Sequence, residues 1–309
     1  MTLRNIKNIG YKVVRLVPPS VRSPFIRWGQ QFGNWYSKTA GQWQGNAVAA
    51  YWYRGRINFG DLLTPALLKF YGFSPCFSNS PCQGVGNVCD IVAVGSILEH
   101  VHHEFQGIIL GSGAMFDEPR ELPNALFLAV RGELTKQLYQ CSDSVTLGDP
   151  GLLANRLCVP NIPKKYRLGI VIHYIERDAG LVEGKFGFGV GTKLIDPRCY
   201  PGDVILDISE CEYIASSSLH GLIIADSLGI PCVRISLSEG LLSGGDFKFN
   251  DYYSSIGIQH EKLFVAEKVT SDHLIDLTNT PPKDIILQRK NDLHELFVGL
   301  KTILEKRKR

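Results

Sequence analysis

The sequence has few of the features that mark membrane, secreted or zinc-binding proteins. No apolar run approaches the ~20 residues that a bilayer-spanning helix needs, and the start lacks the continuous apolar segment of a secretory signal. The eight cysteines form no Cys-x-x-Cys pair, and no histidine pair stands at zinc-binding spacing. We therefore expect a cytoplasmic protein whose cysteines are mostly small core residues, and whose chemistry needs no metal.

Acidic residues are missing from the start of the chain. No Asp or Glu precedes Asp61, whereas nine basic residues do, and the net charge of the whole chain is only +3. The segment 1–45 adds aliphatic and aromatic residues, a composition that suits peripheral contact with the anionic inner face of a plasma membrane. A solvated arm that packs its aromatic side chains on the first domain and an arginine-rich transit peptide are alternatives, because Pro18, Pro19 and Pro24 interrupt any long amphipathic helix.

The chain also lacks a Gly-x-Gly-x-x-Gly fingerprint and an aromatic-basic recognition motif, so neither a dinucleotide nor a nucleic acid is implied. Short apolar runs that end in small-residue loops instead alternate with helical patterns, which is typical of buried parallel strands. The predicted strands are 47–53, 91–94, 108–110, 127–130, 145–147, 168–172, 213–215, 232–235 and 264–265.

This alternation predicts the α/β class, with two Rossmann-like parallel-sheet domains that face each other across a cleft. A chain of 309 residues with 44% hydrophobic content can supply a core for each. We place the N-terminal domain at 46–157 and the C-terminal domain at 166–280. A long amphipathic helix at 283–308 follows, and we expect it to pack back across both domains.

Residues 211–235 form the segment most suggestive of chemistry, since they predict a strand, a serine-rich turn, a helix and a second strand. Ser216, Ser217 and Ser218 stand where the helix begins, so their hydroxyls and the free N–H groups of its first turn converge. Such a point attracts anions, and His220 lies within reach of one. Ordinary capping serines and a structural histidine are the alternatives.

Polar residues also follow other predicted strands. Asn58 and Asp61 follow the first, Gly95 and Ser96 the second, and His173 opens the loop after the first strand of the C-terminal half. Because the carboxyl ends of parallel strands meet at one edge of a sheet, these side chains are expected to face the cleft. Asp61 could equally cap the following helix, and glycines there could simply permit tight turns.

Two further candidates carry charge at strand ends. Arg131 could bind a carboxylate or phosphate in bidentate fashion, or could pair with Glu133 or a neighbouring acid. Asp149 could accept a proton or orient a base, or could cap the helix that begins near Gly151.

The run 246–253 follows a glycine-rich bend at 240–245. Lys248 would supply positive charge to an anionic substrate, and Tyr252 and Tyr253 could stack on sugar rings. A satisfied surface cluster is the alternative for all three.

Several of these elements together resemble the polysaccharide pyruvyl transferase family, in particular its xanthan-type branch. They occur in the family's order between residues 47 and 256: Asn58-x-Gly-Asp61, Gly95-Ser-Ile-Leu98, Gly111-Ser-Gly113, Gly148-Asp-Pro-Gly-Leu-Leu153, Ser216-Ser-Ser-Leu-His-Gly-Leu-Ile223 and the run around Lys248. The resemblance implies a glycosyltransferase B-like arrangement. It also implies transfer of pyruvate from phosphoenolpyruvate to two hydroxyls of one hexose, commonly the 4- and 6-hydroxyls, on a lipid-linked oligosaccharide or polysaccharide, with phosphate released.

The resemblance also assigns roles. His220 would be the general acid/base, with Asp149 and Asp61 as further catalytic residues and no cofactor beyond the donor substrate. Substrate binding would involve Asn58, Gly95, Ser96, Arg131, His173, Ser217, Ser218, Leu219, Lys248 and Tyr252. Much of the family has Arg where this chain has Ser218, so Arg131, Lys248 or Arg234 would have to supply that charge.

Two other functions fit the same pattern of strands. An inverting glycosyltransferase would use a similar two-domain cleft but consume a nucleotide sugar. A non-catalytic glycan-binding protein would bind carbohydrate and release no phosphate.

Overall fold

The computed structural model describes residues 46–83, 88–158, 161–187, 189–258 and 261–307. Within them the protein is a mixed α/β structure built on parallel sheets of six and five strands, which confirms the predicted fold class. The predicted membrane-contacting segment 1–45 lies outside the described residues. No helix in the described ranges combines the length and the apolar character needed to span a bilayer.

The first sheet contains six strands. They are β1 (Ala47–Tyr51), β2 (Ser74–Phe77), β3 (Ile91–Val92), β4 (Ile108–Leu110), β5 (Leu126–Val130) and β6 (Thr146–Leu147). Their order is β2-β1-β3-β4-β5-β6, and all neighbours are parallel. Strands β3 and β4 are short and wholly apolar because both faces of a central parallel strand are buried.

The second sheet has the order β12-β11-β10-β7-β9, again all parallel. Its strands are β7 (Tyr166–Val171), β9 (Thr192–Ile195), β10 (Cys211–Ser216), β11 (Cys232–Ser236) and β12 (Leu263–Phe264). A separate pair, β8 (Phe186–Gly187) with β13 (Val269–Thr270), was not predicted. The many glycines of residues 180–192 leave no apolar pattern that would identify the two-residue strand β8.

The described residues form eight α-helices. They are α1 (Leu63–Phe70), α2 (Glu133–Leu138), α3 (Tyr174–Asp178), α4 (Pro201–Ser209), α5 (Leu219–Leu228), α6 (Phe247–Ile256), α7 (Ser271–Asp276) and α8 (Lys283–Arg307). Helix α5 ends at Gly229, whose φ of 66° lies in the left-handed region that glycine adopts without a Cβ penalty. The helix predicted after Asp149 is present as the 3₁₀ helix Pro150–Arg156.

One hydrophobic cluster runs from the first sheet to the second. It contains Val48 and Ala50 of β1, Leu222 and Ile223 of α5, and Phe297 of α8, all almost fully buried. Helix α5 packs directly on the 3₁₀ segment, so closely that a Cβ on Gly151 would lie 2.9 Å from Ile223 Cγ2. The two sheets therefore share a core. Their division into domains at the predicted boundaries stays a prediction.

Helix α8 contacts both halves of the chain. Its Phe297 ring stacks on Tyr71 at 4.9 Å between centroids, and His294 Nδ1 lies 2.8 Å from the Tyr71 hydroxyl. On the other side, Arg289 Nε donates a hydrogen bond to the Ser255 carbonyl at 2.7 Å, and Lys290 donates to that of Ser227. Helix α8 therefore connects Tyr71, in the first half of the chain, with Ser227 and Ser255 in the second half.

Candidate active site

A pocket of about 270 Å³ lies where strands of both sheets end. Its walls come from the segments that follow β1, β3, β4, β7, β10 and β11, including the first residues of α3, α5 and α6. The lining residues are Tyr53, Asn58, Asp61, Ser96, Ile97, Glu99, His100, Met115, Phe116, His173, Tyr174, Ile175, Ser218, Leu219, His220, Ser243 and Lys248. This placement follows from parallel topology, which brings the carboxyl ends of all strands in a sheet to one edge.

The three serines before α5 have different tasks. Ser216 Oγ accepts from Ser218 N–H at 3.0 Å and donates to the Ser218 carbonyl at 2.8 Å, which fixes the turn. Ser217 Oγ accepts from the backbone N–H of His173 at 2.9 Å. Ser218 and Leu219 line the pocket at the start of the helix, whose first-turn N–H groups have no partner within the helix. The predicted donor-binding role of Ser217 is corrected, because its hydroxyl is buried and engaged with His173.

His220 lies at the mouth of α5 and is only 7% exposed. A Cβ on Gly60 would lie 2.1 Å from His220 Nδ1, so the ring packs directly against a glycine backbone. The Phe59 ring meets the imidazole edge-on, with centroids 6.3 Å apart. Burial, and then the positive charges of Arg131 and Lys248, lower the pKa of His220 to about 3. The imidazole is therefore neutral at neutral pH and is available as a base.

Asp149 is the carboxylate beside this imidazole. Its Oδ2 lies 4.0 Å from His220 Nε2, and neither atom has a hydrogen-bond partner among the described residues. Its Oδ1 accepts from Gly151 N–H at 2.8 Å and caps the 3₁₀ helix. Burial raises the pKa of Asp149 to about 6. Asp149 thus caps a helix, as one alternative predicted, while its second oxygen faces the histidine.

Asp61 lines the same pocket as a second buried carboxyl. Asn58 Nδ2 donates to Asp61 Oδ2 at 3.2 Å, and Asn58 Oδ1 accepts from Gly60 N–H at 3.4 Å. Helix α1 starts after Leu62 without a side-chain cap, so the alternative of Asp61 as a helix cap is wrong. Burial raises the pKa of Asp61 to about 7, against the lowering effects of Asn58 and Lys248. Such a carboxyl can both give and take a proton near neutral pH.

Lys248 supplies positive charge to the pocket. Its Nζ donates to the Ser243 carbonyl at 3.2 Å, and burial lowers its pKa to about 8. Of the three basic residues considered as substitutes for the missing arginine at position 218, Lys248 alone lines the described pocket. Arg234 instead packs 3.7 Å from the Phe249 ring centroid and pairs with Asp246.

His173 lines the pocket as predicted. Its Nδ1 accepts from Ile175 N–H at 3.3 Å and so caps α3. Burial, and then the charge of Lys248, lower the pKa of His173 to about 3. At neutral pH it therefore offers a neutral ring rather than a second cation.

Arg131 does not reach the pocket, which corrects the prediction that it binds substrate. It is fully buried, and its Nε donates to Asp251 Oδ2 at 2.8 Å. Its other nitrogens donate to Ser96 Oγ and, at 2.5 Å, to the Ala114 carbonyl. The alternative of an ion pair is confirmed, with Asp251 rather than Glu133 as the acid. Arg131 acts on the pocket through Ser96, which does line it, and through its charge, which lowers the pKa of His220.

Gly95 shapes the turn that presents Ser96. Its φ of 116° is a conformation that favours glycine, and its carbonyl accepts from Ser112 Oγ at 2.8 Å. Gly95 itself is not among the lining residues, so its predicted contact with substrate is replaced by this backbone role.

Tyr252 and Tyr253 are also placed elsewhere. Tyr252 is fully buried, and its hydroxyl donates to Asp226 Oδ2 at 2.7 Å. A ring enclosed on all sides cannot stack on a sugar, so its predicted binding role is wrong. The aromatic residues that do line the pocket are Tyr53, Tyr174 and Phe116, which were not predicted as binding residues. Their position at or shortly after the ends of predicted strands was the signal that could have identified them.

One group of potential metal ligands occurs within the described ranges. The ligand atoms of His102, His103 and Glu104 lie within 4.8 Å of one another, and none of these residues lines the pocket. Metal-independent chemistry at the pocket therefore stays a prediction.

The fold and the pocket together define an α/β protein equipped for proton transfer on an anionic ligand. A helix N-terminus, a buried lysine, a neutral histidine and two carboxyls with raised pKa values meet at the strand ends. The model of the polysaccharide pyruvyl transferase family matches residues 9–239, and the chain belongs to this family.

Two relatives are similar over most of their own length. The succinoglycan biosynthesis protein ExoV of Rhizobium meliloti strain 1021 is 28% identical over 234 residues, which cover 73% of this chain and 70% of that protein. The uncharacterized protein L143 of Acanthamoeba polyphaga mimivirus is 30% identical over 203 residues, covering 60% of this chain and 69% of its own.

Among solved structures, a functionally uncharacterized protein of Klebsiella pneumoniae is similar with a TM-score of 0.39 and 12% identity. The match covers 76% of this chain and 96% of that one. At this score the likeness carries no argument about the site.

Proposed function

We propose that the protein transfers pyruvate from phosphoenolpyruvate to a hexose of an exopolysaccharide repeat unit, forming a 4,6-ketal and releasing phosphate. Family membership supports pyruvyl transfer to a polysaccharide, and a relative named for succinoglycan biosynthesis is consistent with an exopolysaccharide acceptor. The observation that carries the proposal is the meeting of the α5 N-terminus, Lys248 and buried His220 in one pocket.

Phosphoenolpyruvate carries up to three negative charges, so its binding site must have a positive electrostatic potential. The backbone N–H of Leu219 at the start of α5, the Ser218 hydroxyl and the Lys248 ammonium would hold its phosphate and carboxylate oxygens. His173 would donate one hydrogen bond through its Nε2–H, because Nδ1 of the neutral ring accepts from Ile175 N–H. Binding of these negative charges would raise the pKa of His220 from its low value in the free protein.

The proton transfers are assigned to His220 and Asp61, whose pKa values are both shifted by burial. Neutral His220 takes the proton of the first sugar hydroxyl as its oxygen bonds to C2 of the donor, while the Asp61 carboxyl gives its proton to C3. Asp149 stabilises the imidazolium so formed, 4.0 Å away. The C2–O bond to phosphate then breaks, and phosphate leaves with the proton from His220. The second hydroxyl bonds to C2 and returns a proton to Asp61, so both residues regain their starting states.

The arrangement of the two sheets is part of the proposal. We propose that they belong to two lobes of a glycosyltransferase B-like pair, with the acceptor entering between them. The pocket supports this because its walls come from strand ends of both sheets. Peripheral contact of segment 1–45 with a membrane would keep a lipid-linked acceptor near this opening.

Phosphate release from phosphoenolpyruvate in the presence of a hexoside tests the function. We expect the wild-type protein to release phosphate, and His220→Ala to lose roughly 10²- to 10⁴-fold in rate. His273→Ala is a matched control, because His273 is exposed and lies outside the pocket. An unimpaired His220→Ala enzyme would remove the proposed acid/base. Hydrolysis of a nucleotide sugar without use of phosphoenolpyruvate would favour a glycosyltransferase instead, and hexoside binding without phosphate release a glycan-binding protein.

A further inference from the structure

Three aromatic side chains of the pocket have no part in the proton chemistry. Tyr53 follows β1, Phe116 follows β4 and Tyr174 opens α3, so they come from three separate loops. Tyr174 stacks on His173 with ring centroids 4.5 Å apart, and the Arg56 guanidinium carbon lies 5.8 Å from the Tyr174 ring centroid. Tyr53 lies 5.7 Å from the His100 ring. Phe116 keeps 42% of its surface exposed.

Two of these rings line the pocket together with the proposed acid. Tyr174, Tyr53 and Asp61 all belong to its walls. Burial raises the pKa of Tyr174 to about 12, and the charge of Asp61 adds to the rise. A molecule lying on the rings therefore shares the pocket with Asp61.

Glu99 adds a polar anchor at the same wall. Its Oε1 accepts from the backbone N–H groups of Met115, at 2.5 Å, and Phe116, at 3.2 Å, and thereby fixes the Phe116 loop. Its Oε2 is buried with no hydrogen-bond partner among the described residues. A buried carboxylate oxygen left unpaired costs free energy that a donor group on a ligand would recover.

The chemistry of this wall matches a hexose rather than phosphoenolpyruvate. The axial C–H groups of a pyranose form an apolar face that packs on aromatic rings, while its hydroxyls donate hydrogen bonds to carboxylates. The trianionic donor gains nothing from three aromatic faces and is repelled by Glu99. Small-molecule sites of this kind combine aromatic walls with few polar groups that fix orientation.

We propose that Tyr53, Tyr174, Phe116 and Glu99 form the subsite for the acceptor hexose. The rings hold the apolar face of the pyranose, Glu99 Oε2 accepts from a ring hydroxyl, and the reacting hydroxyls point to Asp61 and His220. This inference rests on the proposed function for the reaction, but the subsite can be tested by binding alone. In this subsite, Tyr53, Tyr174 and Phe116 take the sugar-stacking role that the sequence predicted for Tyr252.

The test measures acceptor and donor separately on the full chain. A panel of methyl hexosides with free 4- and 6-hydroxyls serves as probe, with affinity from ligand-observed NMR and KM from phosphate release. We expect Tyr174→Ala and Phe116→Ala each to weaken hexoside binding and raise acceptor KM about 10-fold, equivalent to about 1.4 kcal/mol, with the KM for phosphoenolpyruvate unchanged. Tyr174→Phe should retain most of the affinity because the ring remains.

Two further variants distinguish a loss of folding from a loss of contact with the hexoside. Phe264→Ala removes a ring that is 41% exposed, like that of Phe116, but lies outside the pocket, so its acceptor KM should match wild type. Glu99→Gln keeps an acceptor for the Phe116 loop and should raise acceptor KM several-fold.

The subsite is overturned if the alanine variants bind hexosides as wild type does, if donor and acceptor affinities fall together, or if the wild-type protein binds no hexoside of the panel. Hexoside binding that Tyr174→Ala abolishes, in a protein that releases no phosphate, would uphold the subsite and refute the proposed reaction.

Discussion

At the scale of single residues, the pocket depends on small groups that leave room for large ones. Gly60 lies directly under the His220 ring, and Gly113 lies under the Arg131 guanidinium, where a Cβ would come within 2.4 Å of Cζ. Neither contact involves an unusual backbone angle, because neither glycine has a positive φ. These glycines are needed for the space they leave rather than for their flexibility.

Gly60→Ala should therefore disable His220 without unfolding the protein. The added methyl carbon would lie 2.1 Å from Nδ1 and push the ring aside, and a displacement near 1 Å can cost about 10²-fold in rate. The measurement is the rate of phosphate release. Gly202→Ala is the control, since a Cβ there meets nothing within 4 Å. A Gly60→Ala enzyme with wild-type rate would show that the position of this imidazole is not critical.

The pH dependence should identify Asp61. Since its pKa is raised to about 7 and the proposed mechanism uses the protonated form, kcat/KM should fall with rising pH above about 7. Lys248, with a pKa lowered to about 8, should add a second fall as it loses its charge. His220 stays neutral down to about pH 3, so it adds no acidic limb near neutrality.

The Lys248→Arg variant distinguishes the fall in kcat/KM caused by Asp61 from the fall caused by Lys248. An arginine keeps its charge throughout this range, so the variant should lose the fall near pH 8 and keep the one near pH 7. Rates of phosphate release between pH 5.5 and 9 at low substrate, roughly the range of the two pKa values, give the profile. A flat profile between pH 6 and 8 would contradict Asp61 as the acid.

At the scale of elements, a buried ion pair ties the first sheet to helix α6. Arg131 at the end of β5 pairs with Asp251, and Asp251 also accepts from Thr135 N–H at 2.7 Å and from Thr135 Oγ1 at 2.6 Å. Helix α6 begins next to Lys248, so this pair sets where the pocket's lysine stands relative to the first sheet. A Cβ on Gly132 would lie 1.7 Å from the Asp251 carbonyl oxygen, which shows how closely the two elements approach.

Breaking this pair should cost stability and substrate affinity together. Arg131→Met leaves Asp251 buried without its partner, and such changes cost about 3–5 kcal/mol. Urea denaturation measures this loss, and the KM for phosphoenolpyruvate should rise because Lys248 shifts. The double variant Arg131→Met with Asp251→Leu should recover much of the stability, since no unpaired charge remains. Equal stability of the single and double variants would argue against an energetic coupling across this contact.

At the scale of the whole molecule, the two sheets share one hydrophobic cluster that α5 and α8 complete. Helix α8 contacts Tyr71 on one side and Ser227 and Ser255 on the other. Neither half can therefore unfold without exposing apolar surface of the other. The pocket between their strand ends depends on both.

We expect one cooperative unfolding transition. Tryptophan fluorescence and far-UV circular dichroism should give the same midpoint in urea, because a shared core couples the halves. Two separate transitions would show that the predicted domains are independent folding units. Addition of phosphoenolpyruvate should move the single midpoint upward, since a ligand that binds only the folded state stabilises it.

Local patterns in the sequence were enough to predict most of the elements. Apolar runs ending in glycine and serine placed the parallel strands, and Gly229 with Pro231 placed the end of α5. The same patterns predicted that Asn58, Asp61, Ser96 and His173 face one site, and the serine-rich turn and the family resemblance added Ser218, Leu219, His220 and Lys248. All of them line the pocket. This prediction succeeded because the carboxyl ends of parallel strands lie at one edge of a sheet, however the rest of the chain packs.

The tertiary structure alone decided what the other polar and aromatic residues do. Arg131 and Tyr252 looked like ligands in the sequence, yet each has a buried acid as partner more than twenty residues away along the chain. Tyr53, Phe116 and Tyr174 looked like ordinary loop residues, yet they line the pocket. A sequence determines which residues stand at strand ends, since that depends on near neighbours. Whether a side chain there meets solvent, substrate or a partner depends on segments that only folding brings into contact.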